Sequence, residues 1–457
     1  MISDERTATI SEIMDERPLG RFQLFTIGLC GLVVIFDGFA TQSIGILAPS
    51  ISQTLGVPLK SFGTILSAAL LGLMIASLAM GPVADRWGRK WAIVLSVLTF
   101  AVFMVLSAGA TSFNQLLVYR FLTGLGLGGA IPNAIALGCE YAPKRLVATI
   151  VGSVIAGMPL GQVIAGQVSS VLLPTHWGWR SVFYFGGILP LVVALILVIW
   201  LPESVRFLSF RGADKKKISR ILRRISPELA NVSIRQDPSQ GHESEGISVK
   251  HLFTEGRAVT TILLWIPFFM NLLILYFVVS WLPALLREVN MPISAGVAAA
   301  TIFGVGSVIG CFVEGPLMTR LGAYVILLVE FGLCILLVGL LSLVATSFLL
   351  VMVVTFILGL SVTSAQAGLN ALAANFYPTS IRSTGVGWAL GIGRIGSVVG
   401  PVLGGIMLKM GWTPQQILLS IAVPAFCAGL AIILSNRLVG SANAYQAAPV
   451  DSTIAGH

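Results

Sequence analysis

The sequence predicts an all-α membrane protein with twelve transmembrane helices arranged as two six-helix halves. Three observations carry this. The chain is 56% hydrophobic and only 10% charged, with 49 glycines among its 457 residues and a mean hydropathy of +0.92, whereas about a quarter of the residues of a soluble globular protein are charged. Twelve apolar runs are each long enough to cross a hydrocarbon core of about 30 Å. Sequence features that follow particular runs in the first half recur 234 or 235 residues later in the second half.

Residues 1–21 carry both signs of charge and no apolar core, which reads as a cytoplasmic tail and not as a cleaved signal. The runs then fall at about 22–48, 61–81, 91–108, 115–138, 147–172 and 181–201, and again at 258–286, 294–318, 323–344, 348–373, 383–408 and 414–434. The expected divisions are a first half over 22–201, a cytoplasmic central loop over 202–256, a second half over 257–436 and a cytoplasmic tail over 437–457. Orientation follows from the basic residues. Of 28 lysines and arginines, 22 lie on the face shared by the termini and the central loop, four lie opposite (Lys60, Arg180, Arg287, Lys409), and Arg120 and Arg394 lie inside runs. An even number of spans and this bias put both termini in the cytoplasm of a multi-pass protein of the inner (plasma) membrane. The same bias accounts for the net charge of +9 without nucleic acid as a partner.

The central loop contains a segment, Asp214 to Ile225, with Ile218, Ile221, Leu222 and Ile225 at helical spacing among lysines and arginines. That pattern suits a helix lying on an anionic leaflet.

The five cysteines lie in apolar runs and the four histidines are scattered, so neither disulfides nor a metal cluster is indicated. There is no GxxxxGKS/T phosphate loop. With no nucleotide site and no cofactor, pumping has to draw on an ion or solute gradient, or on a partner.

One carboxylate stands deep in the first run, within Phe36-Asp37-Gly38-Phe39-Ala40-Thr41. An aspartate there costs about 2.5–3.5 kcal/mol on insertion scales, so it is expected to face a cavity, a partner charge or a proton path. At 1.5 Å per residue, Asp37 lies about 22 Å along its run, while Arg120 lies about 9 Å into the fourth run from the opposite face. The two can share a level and form an ion pair. Arg394, about 18 Å along the eleventh run, is near the midplane of the other half, where its planar fork suits a carboxylate ligand. The alternative is a structural pair with another helix, for instance through Glu330.

The repeat is carried by Gly81-Pro-Val-Ala-Asp-Arg-Trp-Gly88-Arg-Lys, which recurs as Gly315-Pro-Leu-Met-Thr-Arg-Leu-Gly322-Ala-Tyr, and by Tyr141-Ala-Pro143 with Gly152, matched by Phe376-Tyr-Pro378 with Gly387. Two halves related by an axis along the membrane normal, with the substrate site between them, is how such repeats assemble. Gly81 to Lys90 resembles the GxxxDRxGRR signature of the major facilitator superfamily, and this resemblance covers the whole spanning chain. Asp37-Gly-Phe-Ala-Thr, Arg120-Phe-Leu-Thr-Gly, Leu201-Pro-Glu-Ser-Val-Arg and the glycine-rich Gly393 to Gly405 are similar to the aromatic acid:proton symporter family within it. The chain departs from that family at Ala40, where a second aspartate is usual, and at Thr319, where the second loop copy often has one.

The resemblance implies a proton-coupled secondary transporter that imports an aromatic carboxylate of benzoate, hydroxybenzoate or arylacetate type by alternating access. An exporter or uncoupled facilitator is the alternative that Ala40 encourages. A membrane receptor for aromatic acids is the alternative of another class; an enzyme is not indicated, because no nucleophile-and-base or metal set appears. The expected partners are the substrate, protons and the bilayer, and the protein is expected to work as a monomer. Asp37 and Arg120 are the candidates for proton coupling. Arg394, Phe39, Asn133, Gln366, Asn370 and Trp281 are the candidates for substrate binding, with Gln162, Asn271, Trp265, Tyr276, Phe303 and Trp388 as further polar or ring contacts. Asp85, Arg86, Arg89, Glu140 and Arg382, with Arg145, Glu203 and Arg206, fall at inner run ends, where ion pairs can bolt the halves together and break as they part. A plain positive-inside loop explains the arginines among them but not the acids.

Overall fold

A computed structural model describes residues 7–8, 14–15, 18–210, 215–226, 233–234, 249–254, 256–344, 347–378 and 381–447. Among the described residues, twelve helices are long and apolar enough to span: Arg21–Leu55, Leu59–Trp87, Arg89–Ala108, Phe113–Glu140, Lys144–Leu172 and Trp179–Trp200, then Ala258–Glu288, Ile293–Leu321, Ala323–Leu343, Phe348–Phe376, Thr384–Lys409 and Pro414–Leu438. We number them as spans one to twelve. Most outrun the apolar stretches that betray them, because a helix continues past the hydrocarbon edge until a residue stops it. Span one runs through Pro49 and ends at Gly56, whose φ of 64° closes the helix. Its 35 residues make about 52 Å of helix, which exceeds the core thickness and requires tilt or projection beyond it.

The pairing of spans repeats with a shift of six. Spans two and four pack together as do eight and ten, one and five as do seven and eleven, three and six as do nine and twelve. The repeated loop sequence has a backbone cause: Gly88 and Gly322 follow spans two and eight with φ of 94° and 85°, a conformation that residues with a Cβ rarely adopt. Within each half the packing is backbone on backbone. A Cβ on Gly38 would strike the Met158 carbonyl and one on Gly161 the Ile35 carbonyl, and in the other half a Cβ on Gly396 would strike the Phe269 carbonyl. Apolar side chains gain nothing by leaving lipid for each other, so such close approach is what holds membrane helices together.

The halves meet through spans one and seven, two and eleven, and five and eight. Ser67 Oγ donates to the Val398 carbonyl at 2.8 Å, and Gln162 Nε2 to the Ala300 carbonyl at 3.0 Å. These contacts favour the end away from the termini. In span five, the far section Gly157–Leu172 packs along span eight, while the terminus-side section Lys144–Ile155 scarcely touches it. The molecule is therefore closed at the far end and parted at the end where the termini lie.

Short elements decorate the terminus side. Thr7–Ala8 pairs in parallel with Ser233–Ile234, and Lys215–Ile225 is helical. That helix does not present its apolar face to lipid as its pattern suggests. Leu222 is buried, Ile218, Ile221 and Ile225 pack on the core, and the Arg224 guanidinium lies 5.9 Å from the Phe22 ring centre.

Gly161→Ala tests the backbone packing. The added methyl meets a carbonyl that cannot yield, so the purified protein should lose about 1–3 kcal/mol of stability and unfold at a lower temperature. Gly152→Ala, where a Cβ meets nothing within 4 Å, should leave the unfolding temperature unchanged.

Candidate functional site

Asp37 is fully buried in the middle of span one. Thr41, one turn on, donates to Oδ1 at 3.5 Å, and Oδ2 has no hydrogen-bond partner. The charge that acts on this carboxylate is Arg394 of span eleven, which makes no direct ion pair with it, and the same guanidinium lies near the Tyr276 hydroxyl of span seven. Asp37 belongs to one half, and Arg394 and Tyr276 belong to the other. The aspartate, the guanidinium and the phenol thus form a polar set at the seam. Leu70, Leu272, Tyr276 and Met158 pack as an apolar collar close by.

Arg120 is not the partner of Asp37. It is fully buried within its own half, where Nη2 donates to the Ala40 carbonyl at 2.8 Å and Nη1 to Met104 Sδ at 3.4 Å. Its guanidinium carbon lies 5.7 Å from the Phe183 ring centre, and Nε has no partner. Depth alone does not fix which side of a helix a group approaches: Arg120 comes to span one beside residue 40, where the side chain is a methyl group and the backbone oxygen is the acceptor within reach. Arg394 likewise does not pair with Glu330, which lies among spans eight, nine and ten with Glu314 and Ser364.

The other candidates divide by side. Gln366 and Asn370 do form a polar ladder on span ten: Asn271 Nδ2 donates to Gln366 Oε1 at 3.1 Å, and Gln366 Nε2 donates to Asn370 Oδ1 at 3.4 Å. Asn271 Oδ1 is buried with no partner. Asn133 Nδ2 donates to the Gly129 carbonyl of its own helix at 2.8 Å. Phe39 and Trp281 do not line the seam in this arrangement. Phe39 packs on Phe185, with ring centres 5.7 Å apart, and presses against Gly186, because residues two apart on a helix point to different sides and Asp37 takes the seam. Trp281 is fully buried, and its Nε1 donates to the Pro401 carbonyl at 2.9 Å, tying span seven to span eleven. Gln162 joins the halves as described, Phe303 packs against Gly359, and Trp265 stacks on Trp388 at 6.1 Å.

The terminus-side charges form a network inside one half. Arg89 Nη1 pairs with Glu140 Oε1 at 2.5 Å. Glu203 Oε1 accepts from the backbone amides of Lys90 at 3.0 Å and Ser204 at 2.9 Å, and Tyr141 donates to the Glu203 carbonyl at 2.8 Å. Burial pushes the Glu203 carboxyl up, and the amides of Lys90 and Ser204 oppose that shift. Gln23 Nε2 of span one donates to the Tyr141 carbonyl at 2.8 Å, so the cluster ties spans one, three, four and six together. It does not bolt the two halves in this arrangement. Asp85 and Arg86 are exposed at the end of span two, with no ion pair among the described residues, and Arg382 Nε donates to the Tyr377 carbonyl at 3.4 Å.

Sequence reasoning named Tyr276 only as a ring and missed Glu314 altogether, although a lone glutamate in an apolar run was the same signal that marked Asp37. No group of three or more metal-ligating side chains is found among the described residues.

Residues 30–401 match the profile of the Major Facilitator Superfamily. The chain is 38% identical to the 4-hydroxybenzoate transporter PcaK of Pseudomonas putida, over 96% of this chain and 98% of that protein. It is 36% identical to a gallate transporter of Pseudomonas putida, over 94% and 95%. In fold it is similar to the partially occluded, inward-open xylose transporter XylE of Escherichia coli, with a TM-score of 0.72 at 18% identity, covering 92% of this chain and 98% of that one. This twelve-span, twofold-repeated chain belongs to the Major Facilitator Superfamily.

Proposed function

We propose that the protein imports an aromatic carboxylate together with protons across the inner membrane by alternating access, with both termini in the cytoplasm. The observation that carries this is the set of buried Asp37, half-buried Arg394 and buried Tyr276, at mid-depth and divided between the two halves. Arg394 can hold one carboxylate in its bidentate fork. With no substrate bound, Arg394 answers the charge of Asp37 through space, without a hydrogen bond to it, and its fork is open to a ligand. A substrate carboxylate arriving at Arg394 takes up that positive charge, leaving Asp37 without a counter-charge at a depth where an ion is costly, and a proton neutralises it. Anion and proton thus load together. The Tyr276 hydroxyl and the Asn271, Gln366 and Asn370 amides supply polar contacts from the same half for ring substituents. The names of the two relatives support the ligand class, since 4-hydroxybenzoate and gallate both join an aromatic ring to a carboxylate.

The charge bias supports the orientation, and with it the parted end opens to the cytoplasm. Reaching the outward-open state requires the contacts of Ser67 and Gln162 at the far end to break and the spans at the terminus end to close. No cofactor takes part; the proton gradient drives accumulation.

Arg394→Lys keeps the charge and loses the fork, so affinity should fall by the about 1.5–3 kcal/mol of a charge-assisted hydrogen bond, about tenfold to more than a hundredfold. Binding of labelled 4-hydroxybenzoate to the purified protein measures it, and unaltered affinity would move the anchor elsewhere. Asp37→Asn mimics the protonated carboxyl. Proteoliposomes carrying it should exchange substrate across the membrane yet fail to accumulate it under an imposed proton gradient. Accumulation equal to that of the native chain would refute Asp37 as the coupling group. For orientation, single cysteines at Thr175 and at Thr254 of a cysteine-free chain should differ in intact cells, with only the former reacting with an impermeant thiol reagent. The opposite labelling would reverse the topology.

A further inference from the structure

A second pair of acids lies away from the seam. Glu314 of span eight and Glu330 of span nine are both buried, within hydrogen-bonding reach of each other. Counting along their helices, each is about 10 Å from the terminus-side end. The pair is packed against span ten, where Gly368 leaves room for Glu314 Oε1 and Ser364 lies beside Glu330.

The hydrogen-bonding needs of this cluster are not met by ionised carboxylates, which accept and never donate. Both oxygens of Glu314 and Oε2 of Glu330 are buried without a donor. The titratable side chains on the surrounding spans eight, nine, ten and twelve are Cys311, Arg320, Tyr324, Cys334, Cys427 and Arg437, and none of them supplies charge to the pair. Span ten has no ionisable residue at all. Two unpaired negative charges side by side at this depth are untenable. Ser364 points the same way. Its Oγ is 2.5 Å both from the Leu360 carbonyl and from Glu330 Oε1, yet a hydroxyl has one hydrogen, and in a helix it commonly donates to the carbonyl four residues back. The contact to Glu330 is then satisfied when the glutamic acid donates.

We propose that Glu314 and Glu330 form a second proton-binding site, holding a shared proton separately from Asp37 and exchanging it with the terminus-side solution during the transport cycle. Glutamine at either position would satisfy the same contacts without a titratable group, so two acids fit a proton that leaves and returns. Span eight links this site to the moving seam, for it carries Ala300, the acceptor of Gln162. Proton binding rests on the local geometry alone, while its use in the cycle rests on the transport reading above.

Infrared spectroscopy of the purified chain in lipid near neutral pH tests the first part. In an Asp37→Asn background, which silences the seam, the carbonyl band of an un-ionised carboxylic acid should be present and should be lost on adding Glu314→Gln and Glu330→Gln. A spectrum unchanged by the pair of substitutions, or a band that sodium ions abolish, would overturn the proton site. Glu330→Gln alone, isosteric with the protonated acid, guards against misfolding of the multiple variant and should weaken the same band. The second part is read in proteoliposomes made with Glu330→Gln in an otherwise native chain. Substrate exchange should persist, while the pH profile of gradient-driven uptake shifts and the proton-to-substrate ratio falls. An unaltered profile and ratio would remove the dyad from the cycle. A proton band with no flux of aromatic acids in the native chain would instead sink the transport reading and leave the site standing.

Discussion

A charge buried at mid-membrane has to be answered by another, and in this chain the answer to Asp37 comes from the opposite half. Arg394 faces it across the seam, so the electrostatic contact at the centre is also a contact between the two bodies that move. Coulomb attraction in a low-dielectric interior is strong, but so is the cost of taking both ions out of water. A pair of this kind is poorly suited to clamping the halves permanently. It is well suited to being exchanged for another pair of equal net charge, such as substrate carboxylate with Arg394 and a proton on Asp37.

Exchange at the seam moves the helices only if each half behaves as a body. The packing of Gly38 and Gly161 against opposing carbonyls, repeated by Gly396 in the other half, makes spans one and five, and seven and eleven, into units whose backbones are in contact. A helix pair fixed at that distance cannot bend side chain by side chain, so displacement at Asp37 or Arg394 is passed on as rotation of a half. The cluster of Arg89, Glu140, Glu203 and Tyr141 serves the same end on the terminus side. It joins four spans of one half, leaving the other half free to part from it.

The fold was almost wholly legible in the sequence, and the site was legible in part, for a physical reason. Span number and repeat follow from apolar length and from glycines that the backbone demands, such as Gly88 and Gly322; both signals are local. Depth along a helix is also local, which is why Asp37 and Arg394 could be placed near the middle. Azimuth is not. Whether Arg120 or Arg394 meets Asp37 depends on which neighbour each helix face meets, and helices that are apolar nearly all round give no moment from which to read it. The same gap hid the burial of Trp281 in a span seven to span eleven contact, the inward turn of the Lys215–Ile225 helix, and the meeting of Glu314 with Glu330, which stand on different helices 16 residues apart in sequence.

The methyl group of Ala40 has the widest consequence of any single departure from the family pattern. A carboxylate there would stand beside Arg120, the buried guanidinium that now takes the Ala40 carbonyl and leaves Nε unsatisfied. Without it, Arg120 is retained by a weak hydrogen bond to Met104 Sδ, by the Phe183 ring face and by one backbone carbonyl. None of these changes when a proton binds. Arg120 is therefore a fixed positive charge in the wall of one half, and its field favours anions in the seam whatever the protonation state there. In the proposed exchange the charges at the seam reduce to one aspartate and one arginine, which one substrate anion and one proton would satisfy. Any further proton carried per cycle has to bind outside the seam, and the described residues offer one buried pair of acids without a cation, Glu314 and Glu330.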